Sequence, residues 1–344
     1  MRLLNVLGLI CTLILTVEAS AKTNGQLLPK DIQFFEGQAQ GTTFHITYRA
    51  AKKSSKLEAK ANQSLKDFDK VFSNYRPDSA ISIYNASTST DWVSVPAELA
   101  QLLSDSLEIS RQTQGSFDVT IGAVLKVWGF GPYKKAAQSV PGDKDIADAL
   151  LKSGFDKVEV RLKPAAIKKK FPELAIDLSG VAQGASVDVL ASLFDKEKID
   201  NYIIEVGGEM MTKGERSKGK PWVVAIESPT DSPGSIAQTV APKGLGMSTS
   251  GDYRNYFEQK GKRYSHIFDP RVGRPIESKV ASSTVLAKTA READAYAKAY
   301  MILNEAEGKA LAARLKMPVF LMNHMETGFS SIYYEDFEAY LVRM

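Results

Sequence analysis

With 344 residues, 44% apolar and 24% charged, the chain has the composition of a soluble globular protein with one large core or two smaller ones, which excludes a disordered polypeptide. The formal net charge is only +4, and lysines and arginines are scattered apart from Lys168-Lys169-Lys170, which reads as a solvated loop; nucleic acid is therefore excluded as the expected partner. Residues 1–21 have the pattern of a cleaved export signal: Arg2, an apolar run over 3–17, then Ala19-Ser20-Ala21 before Lys22. This run is too short and wrongly flanked for a retained membrane span. The one cysteine, Cys11, lies inside it behind Ile10, where a lipoprotein signal needs a small residue. A mature chain of 22–344, free of cysteine and exported to the periplasm or another oxidising compartment, is the expectation.

Residues 34–48 predict two strands meeting at Gln40-Gly41-Thr42, where the glycine permits close approach of another strand or a ligand. Leu57, Ala61, Leu65, Phe68 and Phe72 recur every three or four residues and predict an amphipathic helix. A polar turn over 74–79 follows, and its Tyr75 reads either as surface packing or as a stacking platform. Pro96, Leu99, Leu102, Leu103 and Leu107 mark a second helix that ends before Gly115. Beyond it, 115–120 and 127–131 combine glycines with Phe117, Trp128 and Phe130, either as a pocket wall or as turns with core aromatics.

A short helix over 142–153 and strands near 157–162 and 173–178 come next. Residues 175–184 then pass from an apolar strand into a helix running to about Lys196. Such a strand-to-helix turn leaves backbone amides free for an anion, although Asp177 or Ser179 could equally serve as the helix cap. Strands at 202–206, ending in Gly207-Gly208-Glu209, and at 222–227 follow. Residues 253–258 and 263–269, joined by Lys260-Gly261-Lys262, predict a hairpin. It presents His266, one of three histidines, beside Asp269-Pro270. A strand at 280–287, helices at 289–303 and 305–316, and a strand at 319–323 complete the chain. On the first of these helices Asp294 and Lys298 share a face, read plainly as an exposed ion pair. No repeat, linker, dinucleotide fingerprint, phosphate loop or histidine-rich metal motif occurs, so one α+β unit is predicted.

Nine ordered blocks carry a resemblance. They are Gly41-Thr42-Thr43, Tyr75-Arg76-Pro77-Asp78-Ser79, Gly115-Ser116-Phe117-Asp118-Val119-Thr120, Trp128-Gly129-Phe130-Gly131, Ile176-Asp177-Leu178-Ser179-Gly180, Gly207-Gly208-Glu209, Ser248-Thr249-Ser250-Gly251-Asp252-Tyr253-Arg254-Asn255, Ser265-His266-Ile267-Phe268-Asp269-Pro270 and Glu292-Ala293-Asp294-Ala295. Together, from about Phe35 to Asn323, they resemble the ApbE family of FAD:protein FMN transferases. The resemblance implies a single mixed sheet-and-helix unit that uses FAD as substrate. FMN would pass to a threonine hydroxyl on a target protein of a membrane-bound redox complex, with release of AMP, and the enzyme would approach the membrane only through that target. It further implies FAD contacts at Gln40, Tyr75, Ser116, Phe117, Asp118, Asp177, Gln183 and Phe268, and magnesium between the Gly180 carbonyl and Asp294. His266 and Asp294 are the expected catalytic groups, with Asp252 a rival for deprotonating the acceptor.

The chain departs from the family pattern one helical turn after Asp294. Lys298 stands where a hydroxyl ligand is usual, and a protonated amine has no lone pair for a metal. Two outcomes follow. Either the ammonium supplies the positive charge that the pyrophosphate needs, or the chain is a non-catalytic FAD binder or an FAD pyrophosphatase.

Overall fold

The computed structural model describes residues 29–133, 139–230, 234–252, 256–259 and 262–342. The expected export segment with Cys11, residues 253–255, and the hairpin turn at 260–261 lie outside them.

Gln40 and Gly41 turn the chain with φ of 54° and 74°. Two positive values in a two-residue loop match the twist of the strands they join, β1 (Ile32–Ala39) and β2 (Thr42–Arg49). These open a sheet of eight strands in sequence order, each antiparallel to the next. The rest are β3 (Tyr202–Val206), β4 (Glu209–Lys213), β5 (Gly246–Gly251), β6 (Val280–Ala287), β7 (Val319–His324) and β8 (Phe329–Tyr334). Among the described residues, six α-helices are inserted between β2 and β3: α1 (Ser55–Phe72), α2 (Ala80–Ala86), α3 (Ala97–Gln112), α4 (Gly122–Trp128), α5 (Asp143–Leu151) and α6 (Ala182–Lys196). Two more, α7 (Ala290–Tyr300) and α8 (Glu305–Leu315), connect β6 to β7.

The central strands are buried on both faces, which explains why β3 and β6 are nearly continuous apolar or small-residue runs. Phe44, Ile46, Tyr48, Ile204 and Val206 meet Leu57, Ala61 and Leu65 of α1 and Val187, Leu190 and Phe194 of α6. On the opposite face Ile203, Met210, Met247, Leu286 and Phe320 meet Trp222, Val224, Ile226 and Val240. Each fully buried large side chain contributes about 1.5–3 kcal/mol through removal from water.

Where α6 crosses α7 the backbones nearly touch. A Cβ on Gly184 would lie 2.4 Å from the Ala290 carbonyl oxygen and 2.7 Å from the Arg291 Cα, so only glycine fits. The start of α7 is fixed on both sides. Thr289 and Glu292 form a reciprocal capping box, and Asp188 of α6 accepts from the Ala290 and Arg291 amides at 2.8 and 3.2 Å. Helices α6 and α7 therefore form one rigid layer on the sheet.

Two sequence expectations are corrected here. Residues 173–178 are extended but are not a strand. Asn85 donates to the Ile176 carbonyl and accepts from the Ile176 amide, both at 2.8 Å, while Asn74 donates to the same carbonyl and accepts from the Leu178 amide, also at 2.8 Å. These side-chain amides, with two backbone bonds, the Asp177 amide to the Val119 carbonyl at 2.7 Å and the Gly122 amide to the Ala175 carbonyl at 3.2 Å, replace a ladder, and the sequence pattern of an extended buried segment is the same in both cases. Lys168-Lys169-Lys170 is not a solvated loop either, because the strand Ala165–Lys169 turns its middle lysine inward. Lys169 is 1% exposed, donates to the Leu174 carbonyl at 3.2 Å and lies 5.3 Å from the centre of the Tyr84 ring. Burial lowers its pKa. Helices α2 and α4 and strands β4, β5 and β8 are not among the elements the sequence predicts.

Candidate active site

Asp177 is held by its own turn. One oxygen, Oδ1, accepts from the Ser179 amide at 2.9 Å, and the other, Oδ2, is buried without a hydrogen-bond partner. A Cβ on Gly131 would sit 3.5 Å from that oxygen, so the glycine, at φ 61°, packs directly beside it. Burial raises the Asp177 pKa, and two tyrosines report its charge. Tyr133 is raised by burial and then by Asp177. Tyr75 is 67% exposed, yet desolvation at its hydroxyl end and then the Asp177 carboxylate raise it, against a bond to Ser179. Neither Asp177 nor Ser179 caps α6. Val181 holds the cap position without a side-chain bond, and Asp294 reaches across from α7 to accept from the Gly184 amide at 3.1 Å.

Asp294 is fully buried, so the expectation of an exposed ion pair with Lys298 is corrected: α6 covers the carboxylate side. The Lys298 ammonium donates to Asp294 Oδ1 while its stem passes over Gly180, with Cδ 3.2 Å from a Cβ built there and Phe117 on the other side at 3.1 Å. Both Asp294 oxygens therefore face donors, which favours the carboxylate form against the burial that raises its pKa. Burial works to lower the Lys298 pKa, but Asp294 and Glu209 outweigh it, so the ammonium is held above the ordinary lysine range. Glu209, at the start of β4, is also buried; burial first and then the Asp294 charge push it up to about 8, and its Oε2 has no partner.

Glu209 was not singled out as a titrating residue. Its only sequence signal was the Gly207-Gly208 turn, which places the first residue of β4 beside the last of β3. Its raised pKa has a sign that can be measured. In the unfolded chain it titrates near 4.5 and in the folded chain near 8. The protonated group's contribution is fully present below about 4.5 and is lost as pH rises through about 8. Chemical denaturation at pH 5 and pH 8 is expected to show a loss on the order of a few kcal/mol in the wild type. Glu209→Gln should flatten that difference.

The β1–β2 turn lies at the same end of the sheet. Both amide atoms of Gln40 and the Thr42 hydroxyl are buried without partners. Thr42 and the Gln183 amide both crowd Gly207, so Gln183 links the start of α6 to this turn. Beside them Glu205 accepts from the Gly208 amide at 2.6 Å and pairs with His45 Nδ1 at 2.7 Å. That bond, opposed by burial, raises the His45 pKa.

Phe117, Asp177, Gly180, Gln183 and Asp294 are thus brought together around the first turn of α6, with Tyr75 at the rim. Phe268 is reached less directly, through ring contacts with Trp128 at 5.5 Å and Phe130 at 5.1 Å, next to Gly131. Ser116 and Asp118 spend their side chains on the fold. Ser116 donates to the Thr113 carbonyl, and Asp118 accepts from the Thr120 amide and hydroxyl and from the Phe155 amide. His266 is half-buried in the bend after the hairpin strand Lys262–Ser265. Asp269 receives a bidentate bond from Arg271 and lines a cleft of about 720 Å³ with Tyr264 and Lys279.

The implied magnesium does not fit this arrangement. The Lys298 stem runs from Gly180 to Asp294, through the gap that an ion bridging those two residues would need, and its ammonium already faces the carboxylate. A metal ligand must offer a lone pair, and this one offers protons.

A buried carboxylate oxygen without a donor and an ammonium fixed by a buried carboxylate thus flank the start of α6, an arrangement able to meet a hydrogen-bond donor and an anion. The family model described as "ApbE family" matches residues 40–321, and the chain belongs to that family. Among curated relatives, an FAD:protein FMN transferase of Vibrio cholerae is 34% identical over 91% of this chain and 94% of its own length. One from Escherichia coli K12 is 35% identical over 91% and 90%. The solved flavin transferase ApbE of Vibrio cholerae superposes with a TM-score of 0.83 at 33% identity, covering 91% of this chain and 100% of that one. The apo flavinyl transferase ApbE of Pseudomonas stutzeri gives 0.82 at 31% identity, covering 92% and 98%.

Proposed function

We propose that this chain is an FAD:protein FMN transferase that moves FMN from FAD to a threonine hydroxyl of a target flavoprotein and releases AMP. The observation that carries the reading is the unpartnered Asp177 Oδ2 beside Gly131, and the ligand recess of this proposal opens there. An adenine amino or ribose hydroxyl group supplies the missing donor. Tyr75, 67% exposed, is an aromatic surface for a ring, whereas Phe268 is buried against Trp128 and Phe130; the unpartnered Gln40 amide offers both a donor and an acceptor.

In the transfer, the acceptor oxygen bonds to the FMN phosphorus as the bond from that phosphorus to the bridging pyrophosphate oxygen breaks. The bridging oxygen leaves with AMP, and the hydroxyl proton passes to a base. His266 is the base in this proposal, and the open cleft beside Asp269 admits the acceptor segment. A His266→Ala chain is expected to bind FAD normally and to transfer FMN about 10²–10⁴-fold more slowly. An undiminished rate would remove His266 from the role.

Export after removal of residues 1–21 and action on a membrane-bound redox complex belong to the same proposal. Mass spectrometry of the exported chain should find Lys22 at its N-terminus, and a retained leader would refute export by cleavage. The direct test mixes the mature chain, FAD and a threonine-bearing target. AMP together with a covalently fluorescent target supports transfer. AMP with free FMN indicates a pyrophosphatase, and intact bound FAD indicates a carrier.

A further inference from the structure

We infer that the Lys298 ammonium is the resident cation of this site, so that the paired phosphates of a dinucleotide meet a covalently attached charge instead of a divalent ion. This rests on the FAD reading for the identity of the ligand, but not for the placement of the charge.

Three observations converge. The first is occupancy: the lysine stem fills the space between Gly180 and Asp294, and Asp294 has one oxygen on the ammonium and the other on the Gly184 amide. An ion brought against Asp294 would have to displace the ammonium or sit beside a like charge. The second is layering. Asp294 is 0% exposed and Glu209 is buried, whereas the Lys298 side chain keeps 30% of its surface open. The carboxylates are closed off from solvent, and the Lys298 side chain is the part of this cluster that an arriving anion can reach. The third is position. Lys298 Cδ lies 3.2 Å from where a Cβ on Gly180 would stand, so the side chain reaches the turn that follows Asp177. An ammonium carries three donors, and with one on Asp294 the others can reach phosphate oxygens.

A lysine so placed would act as a point charge with fixed origin. Charge compensation would then be independent of the metal content of the surroundings. The cost is geometric: an ammonium cannot clamp two oxygens at set angles as an octahedral ion does.

The test has two arms, both on the full exported chain after chelator treatment. In the first, Mn²⁺ alone is titrated and followed by electron paramagnetic resonance. The wild type is expected to take up no stoichiometric Mn²⁺, and Lys298→Thr, with a hydroxyl one turn beyond Asp294, is expected to gain a site. In the second, FAD affinity is measured by flavin fluorescence in EDTA and in Mg²⁺. The wild type should bind equally in both. Lys298→Met should lose tenfold or more in both, Lys298→Arg should retain affinity, and Lys298→Thr should lose affinity in EDTA and regain it with Mg²⁺. One Mn²⁺ per wild-type chain, a tenfold gain of wild-type FAD affinity with Mg²⁺, or unchanged affinity in a folded Lys298→Met would overturn the inference. If no form binds FAD, the transferase reading fails, while the Mn²⁺ arm still decides the cation assignment. If the variants do not fold, the wild-type measurements decide it alone.

Discussion

Replacing Asp294 with alanine is expected to cost about 3–5 kcal/mol of folding stability, the range for breaking one side of a buried ion pair. The change leaves the Lys298 ammonium beside Glu209 without its partner and removes the acceptor of the Gly184 amide, two losses at the crossing of α6 and α7. Urea denaturation near neutral pH measures it. Asp294→Asn keeps the shape and one acceptor, so a smaller loss of about 1–3 kcal/mol is expected. The paired change Asp294→Leu with Lys298→Met should recover part of the stability, because two matched apolar groups carry no unpaired charge while the Gly184 amide still lacks its acceptor. An Asp294→Ala chain that unfolds at the wild-type urea concentration would show that the pair contributes nothing to the crossing.

Asp177→Ala should behave in the opposite way. Its Oδ2 lacks a partner in the ligand-free chain, so truncation removes a desolvated charge and gives up one turn bond to Ser179. Stability is expected to change by less than about 1 kcal/mol. FAD affinity, however, should fall by about 1.5–3 kcal/mol, roughly ten- to a hundredfold, because the ligand loses a charged acceptor. A calorimetric FAD titration beside a thermal melt reads both quantities. Equal affinity in the variant would detach Asp177 from the ligand, and the proposed function would lose its main support.

The parts of this fold that were legible in the sequence are those whose burial is one-sided and periodic. Helix α1 shows its five core positions as a bare repeat, and α6 and α7 were placed within a few residues. The errors share a cause: each depends on what packs against a segment. Nothing in Lys168-Lys169-Lys170 announces that alternation along a strand sends the middle side chain under the Leu174 carbonyl. The spacing of Asp294 and Lys298 is visible, but their burial is set by α6, more than a hundred residues earlier. Glu209 and the His45–Glu205 pair were missed because single polar residues inside apolar strands carry no local signal. The site was legible mainly through ordered motifs, and its electrostatics only once the two helices were seen to cross.

The clamp on residues 173–178 concentrates leverage. In a strand ladder, the hold on any one residue is shared along the neighbouring strand, and losing a single bond is absorbed. Here two asparagines, about a hundred positions away in the chain, carry four backbone bonds on either side of Asp177. The aim of the Asp177 carboxylate is thus adjustable from Asn74 and Asn85. That gives a route to retuning which nucleotide the recess prefers while its own lining is left alone.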